Sequence, residues 1–187
     1  MVLNDTYRKY FLHQAIHHPD LAHQPDRDRV FEIIDVEEAL GDLRTSAKEK
    51  DFIMRLLMYT YELNDNYTED INKYMHGGFI IAKHHSHRKD GKNGFYEAMR
   101  LSEKVVDEII DKMIGDSRNG HPLFYYSLNT AQNIQVAPLR HAGDIGFSGW
   151  LCTFRIASWF PHCLAKGITD AEHVPAWTDG GITPYEL

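Results

Sequence analysis

Apolar and polar positions follow their most regular pattern between residues 95 and 115. Apolar side chains recur there at intervals of three, four and seven, and charged side chains fill most of the other positions. That period is typical of an amphipathic α-helix with one face on a core. The stripe consists of Phe95, Ala98, Met99, Ser102, Val105, Val106, Ile109, Ile110, Met113 and Ile114. We predict one long helix that packs against a sheet.

A second helical pattern occupies the start of the chain. Asn4 and Asp5 are candidate capping residues, and Pro19 is expected to end the helix. Its predicted inner face consists of Tyr7, Tyr10, Phe11, Gln14, Ala15 and His18. The pattern predicts a short amphipathic helix ahead of the sheet.

Runs rich in β-branched and aromatic residues, separated by turn residues, predict the strands. These runs are residues 30–34, 52–63, 79–85, 123–128, 134–139 and 149–160. Residues 64–78 are expected to form a turn with bulge chemistry and a break at Gly77 and Gly78. After the first strand, Asp35 and Glu38 form a capping-box pattern that predicts one or two helical turns.

The order and number of these elements predict an α+β fold. We expect an antiparallel or mixed sheet of about four to six strands against one long amphipathic helix, with a short N-terminal helix. The chain has 187 residues, of which 43% are hydrophobic and 25% are charged, so one domain can bury a sizeable core. We assign residues 1–164 to this single domain.

The last part of the chain differs in composition from the rest. Residues 165–187 contain two prolines, three glycines and no period, so we predict an extended arm that becomes ordered only by docking on another surface. Its predicted anchors in an oligomer or partner interface are Trp177, Tyr185 and Leu187.

Charge and cysteine usage narrow the function classes. The formal net charge is −7 with basic residues interspersed among acids, which argues against a dedicated nucleic-acid surface but suits a surface past which DNA slides. Cys152 and Cys163 lack CxxC spacing, so we interpret them as structural thiols. The sequence has no apolar run of membrane-spanning or signal-peptide length, so we expect a soluble protein made in the cytoplasm.

Residues 83–94, KHHSHRKDGKNG, are the stretch that most suggests a metal site or an anion-binding patch. A zinc site needs three or four converging ligands, whereas side chains alternate in an extended run, so at most His85 and His87 share a side. His13 and His17 have a ligand-like i, i+4 spacing but lack the glutamate of HExxH. We therefore predict an exposed turn and surface histidines, with no functional metal.

Other catalytic signatures are missing or have a simpler explanation. GxSxG, GxxxxGK[ST] and GxGxxG do not occur, and GKNG fits a turn and helix entry. Acidic residues on the long helix lie opposite its apolar stripe, where carboxylates usually only meet solvent; they are Asp107, Glu108 and Asp111. Candidate base-stacking aromatics are more often core residues; they are Tyr125, Tyr126, Trp150, Trp159 and Phe160. We predict no catalytic, cofactor-binding or metal-binding residue, and no cofactor.

Taken together, the elements from residue 10 to residue 160 resemble those of small virion proteins of tailed phages. The shared features are an N-terminal helix, the segment RVFEIIDVEEALGDLR, two strands, a long helix ending KMIGD, and a final antiparallel pair in IQVAPLRHAGDIGFSGWLCTFRI. Phage proteins of this kind complete or terminate a tail, or form a ring in the neck. No single residue carries this resemblance.

The resemblance implies a non-catalytic protomer of a homo-oligomeric ring, commonly a hexamer, in the virion. Its implied partners are other copies of itself and neighbouring tail or neck proteins, with DNA only passing through the lumen and no membrane. Two alternatives stay open from the residues. A metal-dependent enzyme using surface histidines would retain stoichiometric metal after dialysis against chelator, and a partner-binding module would be a monomer.

Overall fold

The computed structural model describes residues 3–25, 30–35, 52–65, 71–85, 87–121, 123–124, 133–139 and 146–159. In chain order, these residues form helix α1 (Leu3–His17), strands β1 (Phe31–Ile34), β2 (Phe52–Asp65) and β3 (Ile71–His84), helix α2 (His87–Arg118), and strands β4 (Ile134–Pro138) and β5 (Phe147–Trp159). Neither helix has a stretch long and apolar enough to cross a membrane.

The strands form one sheet in the order β1-β2-β3-β5-β4. β1 pairs with β2 in parallel, and every other neighbouring pair is antiparallel. The predicted α+β fold with a mixed sheet and one long amphipathic helix is therefore confirmed, including the final antiparallel pair of β4 and β5.

Both helices cover the same face of the sheet and form the main core with it. The stripe of α2 buries Val105, Val106, Ile109 and Met113 against alternate residues of the central strands. α1 buries Tyr7, Tyr10, Phe11 and Ala15 in the same cluster, as its pattern predicted. A smaller buried cluster on the opposite face contains Ile34, Ile53, Leu57, Ile80, Ala82 and Phe147. Sheet residues thus alternate between two apolar environments, which explains why residues 52–57 are buried at every position.

The predicted turn over residues 64–78 is wrong in its second half, because β3 already begins at Ile71. Gly77 and Gly78 do not break the strand but lie in its middle. A Cβ on Gly77 would come within 2.9 Å of the Phe154 ring, and one on Gly78 within 2.8 Å of the Cys152 carbonyl oxygen. The two glycines are needed for close packing, a role that glycine also has inside strands.

The predicted exposed turn at residues 83–94 is also wrong. β3 continues to His84, and α2 begins at His87, two turns before the start that the apolar pattern indicated. Glycine costs about 1 kcal/mol in a helix interior, so Gly91 and Gly94 made this segment look like a loop. The strongly packed remainder of α2 outweighs that local preference.

Several predictions fall outside the described residues. They concern the helical turns up to Leu43, the aromatic residues Tyr125, Tyr126 and Phe160, Cys163, and the C-terminal arm with Trp177, Tyr185 and Leu187. Of the predicted strand at 123–128, only Leu123 and Phe124 are described, and both lie in a turn. The division into residues 1–164 and 165–187 stays a prediction.

Candidate functional site

The middle of β2 contains an irregularity that shapes the nearby surface. The β2–β3 pairing runs regularly to Leu57 and Gly78, and then resumes at Thr60 and His76. Two residues of β2 consequently lie opposite the single residue Gly77, which is the arrangement of a β-bulge. A bulge bends and twists its strand, so the second half of β2 diverges from the first.

The side chain of Tyr7 from α1 occupies this bulge. Its phenolic hydroxyl donates a hydrogen bond of 2.9 Å to the Leu57 carbonyl and lies 3.2 Å from both the N–H and the carbonyl oxygen of Gly78. The hydroxyl thus replaces strand-to-strand bonds that the bulge interrupts. Burial raises the pKa of Tyr7 well above its usual range, so the hydroxyl remains a protonated donor.

A groove of about 720 Å³ opens beside this junction. Its walls come from the first turns of α1, from β1 and from the bulged part of β2. The lining residues are Asp5, Tyr7, Arg8, Phe31, Glu32, Ile33, Met58, Tyr59 and Tyr61. Its volume lies within the range of about 300–1,000 Å³ that is usual for ligand and anchor pockets.

The groove concentrates the exposed apolar surface of the described chain. Ile33, Met58 and Tyr61 are 36%, 57% and 59% exposed, and they are three of the five large apolar side chains that the described residues leave exposed. The other two, Tyr96 and Val136, are elsewhere. Clustered exposed apolar side chains with a polar rim are typical of an interaction surface.

The groove also lies at an open edge of the sheet. β1 pairs only with residues 54–57 of β2, and the described part of the chain contains no strand beside residues 58–65 on that side. Along the other edge, β4 pairs with residues 150–154 of β5, and β5 extends past it to Trp159. At this end the described sheet narrows to β2, β3 and β5.

A buried arginine, which the sequence did not single out, holds the short edge strand in place. Arg55 is fully buried, and its guanidinium donates to the carbonyls of Val30 and Met54 at 3.0 and 3.2 Å. It also forms an ion pair of 3.1 Å with Glu32 at the groove rim. The signal for it was a lone cation within the apolar run FIMRLLMYT, because a charge there requires buried partners.

A second cluster lies where α1 ends beside α2. His18, Asp20 and Glu108 each present one potential ligand atom, and these atoms lie within 4.8 Å of one another. No sequence spacing pointed to this set, because Glu108 is 90 residues from His18 and approaches only through helix packing. One imidazole and two carboxylates form a donor set that suits several divalent cations.

The contacts of this cluster describe an ion-pair network. The backbone N–H of Asp20 donates to Nδ1 of His18, so the neutral ring carries its proton on Nε2 and donates it to Glu108 at 2.9 Å. The Lys104 ammonium lies 3.8 Å from Asp20 and 3.5 Å from Glu108. A metal on Nε2 would have to displace that proton and compete with Lys104, so we interpret the cluster as a link between the two helices.

Among the histidines singled out in the sequence whose side chains the structure describes, no three converge on a common point. His13 and His17 have ring centroids 4.2 Å apart on α1, and burial and the neighbouring His17 lower the pKa of His13. His85 is 4% exposed, with Nε2 2.8 Å from the Ser148 hydroxyl, so its assignment as a surface histidine is wrong. His84 packs edge-on against Phe147. These contacts fit packing roles for His84 and His85.

The other candidate groups are either packed in the core or exposed to solvent. Burial raises the pKa of Cys152 to about 12, so this thiol is neutral at physiological pH. The indole N–H of Trp150 donates to the Met99 carbonyl, which agrees with the core interpretation of that aromatic. Asp107 and Asp111 are exposed on α2, as the helical pattern predicted.

Comparisons of the chain with protein-family models, curated proteins and solved structures find no match. What the groove can bind is therefore inferred from its own lining residues. Sequence patterns missed it, although one signal was present: the apolar run over residues 52–63 is much longer than the predicted strand at 30–34, which the structure places beside it. A strand of that length beside such a short neighbour leaves part of its edge uncovered.

Proposed function

We propose that this protein is a structural subunit of a tailed-phage virion, which assembles head to tail into a homo-oligomeric ring at the tail end or neck. The observation that carries the proposal is the difference between the two sheet edges. One edge has the groove with Met58 and Tyr61, and the other has β4 with the exposed side chain of Val136.

Unlike edges favour a head-to-tail contact over a symmetric dimer. A contact between two different surfaces repeats from copy to copy, and it closes into a ring when the rotation between neighbours allows it. Such a contact would satisfy the unpaired backbone groups of an exposed strand edge, and it would bury exposed apolar side chains. Fully burying a large apolar side chain contributes about 1.5–3 kcal/mol, and symmetry repeats that gain at each contact.

The chemistry of the groove also favours assembly over catalysis. Its best-placed hydroxyl, that of Tyr7, is buried and bonded to the backbone of β2 and β3. Among its other lining residues, Asp5 and Arg8 are exposed, and Glu32 is paired with Arg55. The net charge of −7 suits a ring through which DNA passes. The virion setting itself comes from the resemblance in element order.

Native mass spectrometry and negative-stain electron microscopy of the full chain test the proposal. The expected result is a closed ring with a central opening, commonly of six copies, that binds the end of a purified phage tail or neck. Met58→Asp and Val136→Asp should each weaken ring formation by at least about tenfold, since each places a charge in the contact. Tyr96→Asp is the matched control, because Tyr96 is exposed on α2 outside the groove.

Other outcomes would overturn the proposal. A chain that stays monomeric at high concentration would instead fit the partner-binding module, with the groove as the binding surface. A symmetric dimer would contradict the head-to-tail contact. Stoichiometric metal retained after dialysis against chelator, together with loss of that metal in His18→Ala, would favour a metal-dependent function.

A further inference from the structure

We infer that the groove of one copy binds the C-terminal segment, residues 165–187, of the neighbouring copy in the ring. This inference rests on the proposed function, since it names the occupant of the groove in the assembly. Its physical basis is the chemistry of the groove, the point at which the chain leaves the sheet, and the length of chain beyond that point.

The groove and the segment have matching chemistry. The groove presents a thioether and aromatic rings from Met58, Tyr59 and Tyr61, with the guanidinium of Arg8 at its rim. Residues 174–185 of the segment, VPAWTDGGITPY, contain a single charged residue and two aromatic residues. Their two prolines favour an extended backbone, which is the form that an open strand edge binds.

The chain leaves the sheet at the same end as the groove. Trp159, the last residue of β5, pairs across β3 with Asn72, which in turn pairs with Asn64 of β2. In the same way, Ile156 and Met75 connect to Tyr61 in the groove. The exit point is therefore only three residue positions, or about 10 Å, from the groove along the strand direction.

The position at which the chain leaves β5 favours docking on the neighbouring copy over docking in the chain's own groove. Residues 155–159 of β5 extend past β4, on the sheet edge that faces away from the chain's own groove. In a head-to-tail ring, this edge faces the β1–β2 edge of the next copy. Trp177 follows Trp159 by 18 residues, which span up to about 60 Å when extended, enough to cross the contact.

Site-directed disulfide formation between two copies tests this inference with the full chain. One copy has Ile33→Cys, an exposed position that lines the groove, and the other has Ala176→Cys, next to the anchor Trp177. Both copies also have Cys163→Ser, while the buried Cys152 remains. Mixing and mild oxidation should cross-link the two copies at least about tenfold faster than a control pair, because docking raises the effective concentration.

The control pair replaces Ile33→Cys with Glu103→Cys, an exposed position on α2 outside the groove. Adding Met58→Asp to the Ile33→Cys copy should reduce the cross-linking rate to that of the control pair. A second measurement uses Trp177→Ala in the full chain, which should weaken ring formation in native mass spectra while circular dichroism stays unchanged.

The outcomes separate this inference from the proposed function. Rings that form without cross-links would overturn the inference and leave the proposed ring intact. Cross-links that form only within one chain, when both cysteines are in the same copy, would overturn docking between copies. A chain that is monomeric and does not cross-link would overturn both.

Discussion

The phenolic hydroxyl of Tyr7 lies 2.9 Å from the carbonyl oxygen of Leu57, 50 residues further along the chain. Through this contact, α1 completes the hydrogen bonding of the sheet at the bulge of β2. The same contact fixes the first turns of α1, which form one wall of the groove. Tyr7 therefore contributes both to the hydrogen bonding of the sheet and to the shape of the groove.

Removing that hydroxyl should destabilise the protein without changing its packing volume. Tyr7→Phe leaves the N–H of Gly78 and the carbonyl of Leu57 without this buried partner, so we expect a loss of about 1–3 kcal/mol in the free energy of unfolding. Urea denaturation followed by circular dichroism measures it. Tyr96→Phe, at an exposed site, should change stability by less than about 0.5 kcal/mol. Equal effects would contradict the assigned role of the Tyr7 hydroxyl.

Replacing a glycine by alanine should destabilise the protein at Gly77 and stabilise it at Gly115. At Gly77 the new methyl would lie 2.9 Å from the Phe154 ring and 3.0 Å from the Tyr7 ring, so Gly77→Ala should cost about 1–3 kcal/mol. At Gly115, inside α2, nothing lies within 4 Å of the new methyl, and Gly115→Ala should stabilise by up to about 1 kcal/mol. Thermal unfolding of both variants checks the signs, and a neutral Gly77→Ala would show that β3 can move away from α1.

The two sides of α2 should differ strongly in their tolerance of substitution. Ile109→Asp places an unpaired charge in the main core and is expected to unfold the protein, a loss above about 4 kcal/mol. Glu108→Ala removes the partly exposed ion pairs to His18 and Lys104 and should cost less than about 1 kcal/mol. Circular dichroism and urea midpoints of the two variants test the helix phase, which similar losses would refute.

Sequence periodicity predicted the packed part of each helix because each has one continuous apolar stripe, but it missed the first two turns of α2. It predicted both faces of β5 for the same reason, since Cys152 and Phe154 alternate with the less buried Leu151 and Thr153. Patterns failed where a residue's role depends on a partner distant in sequence. Gly77 looked like a turn residue, although its partner is an aromatic ring on β5.

The same limit applies to the candidate sites. His85 belongs to a cationic run that indicated an exposed turn, but it is buried because Ser148 of β5 and Phe95 of α2 pack against it. The cluster at His18 and the groove at Met58 each form where elements distant in sequence pack together. Local spacing contains no information about such approaches. The arm anchors Trp177, Tyr185 and Leu187 remain a prediction for the cross-linking experiment to test.

The stability of the protein should fall in mild acid, partly because of His121. Burial lowers the pKa of His121, although the nearby Asp116 opposes the shift, and its Nδ1 accepts the N–H of Leu123 at 3.1 Å. Its pKa is therefore lower in the folded protein than in the unfolded chain, where it is about 6.5. The unfolded chain binds the proton more readily, so stability is fully present above about pH 6.5 and is lost as the pH falls through the folded pKa.

His121→Asn tests this pH dependence, because an amide oxygen can accept the Leu123 N–H but does not titrate. Urea midpoints between about pH 7.5 and pH 5.5 should fall less steeply for His121→Asn than for the unchanged protein. His76→Asn, at an exposed position on β3, is the control for losing a histidine. His13, whose pKa is also lowered, contributes a loss of the same sign in all three proteins, so the difference between slopes isolates His121. Parallel slopes for His121→Asn and the unchanged protein would show that protonation of His121 is not coupled to unfolding.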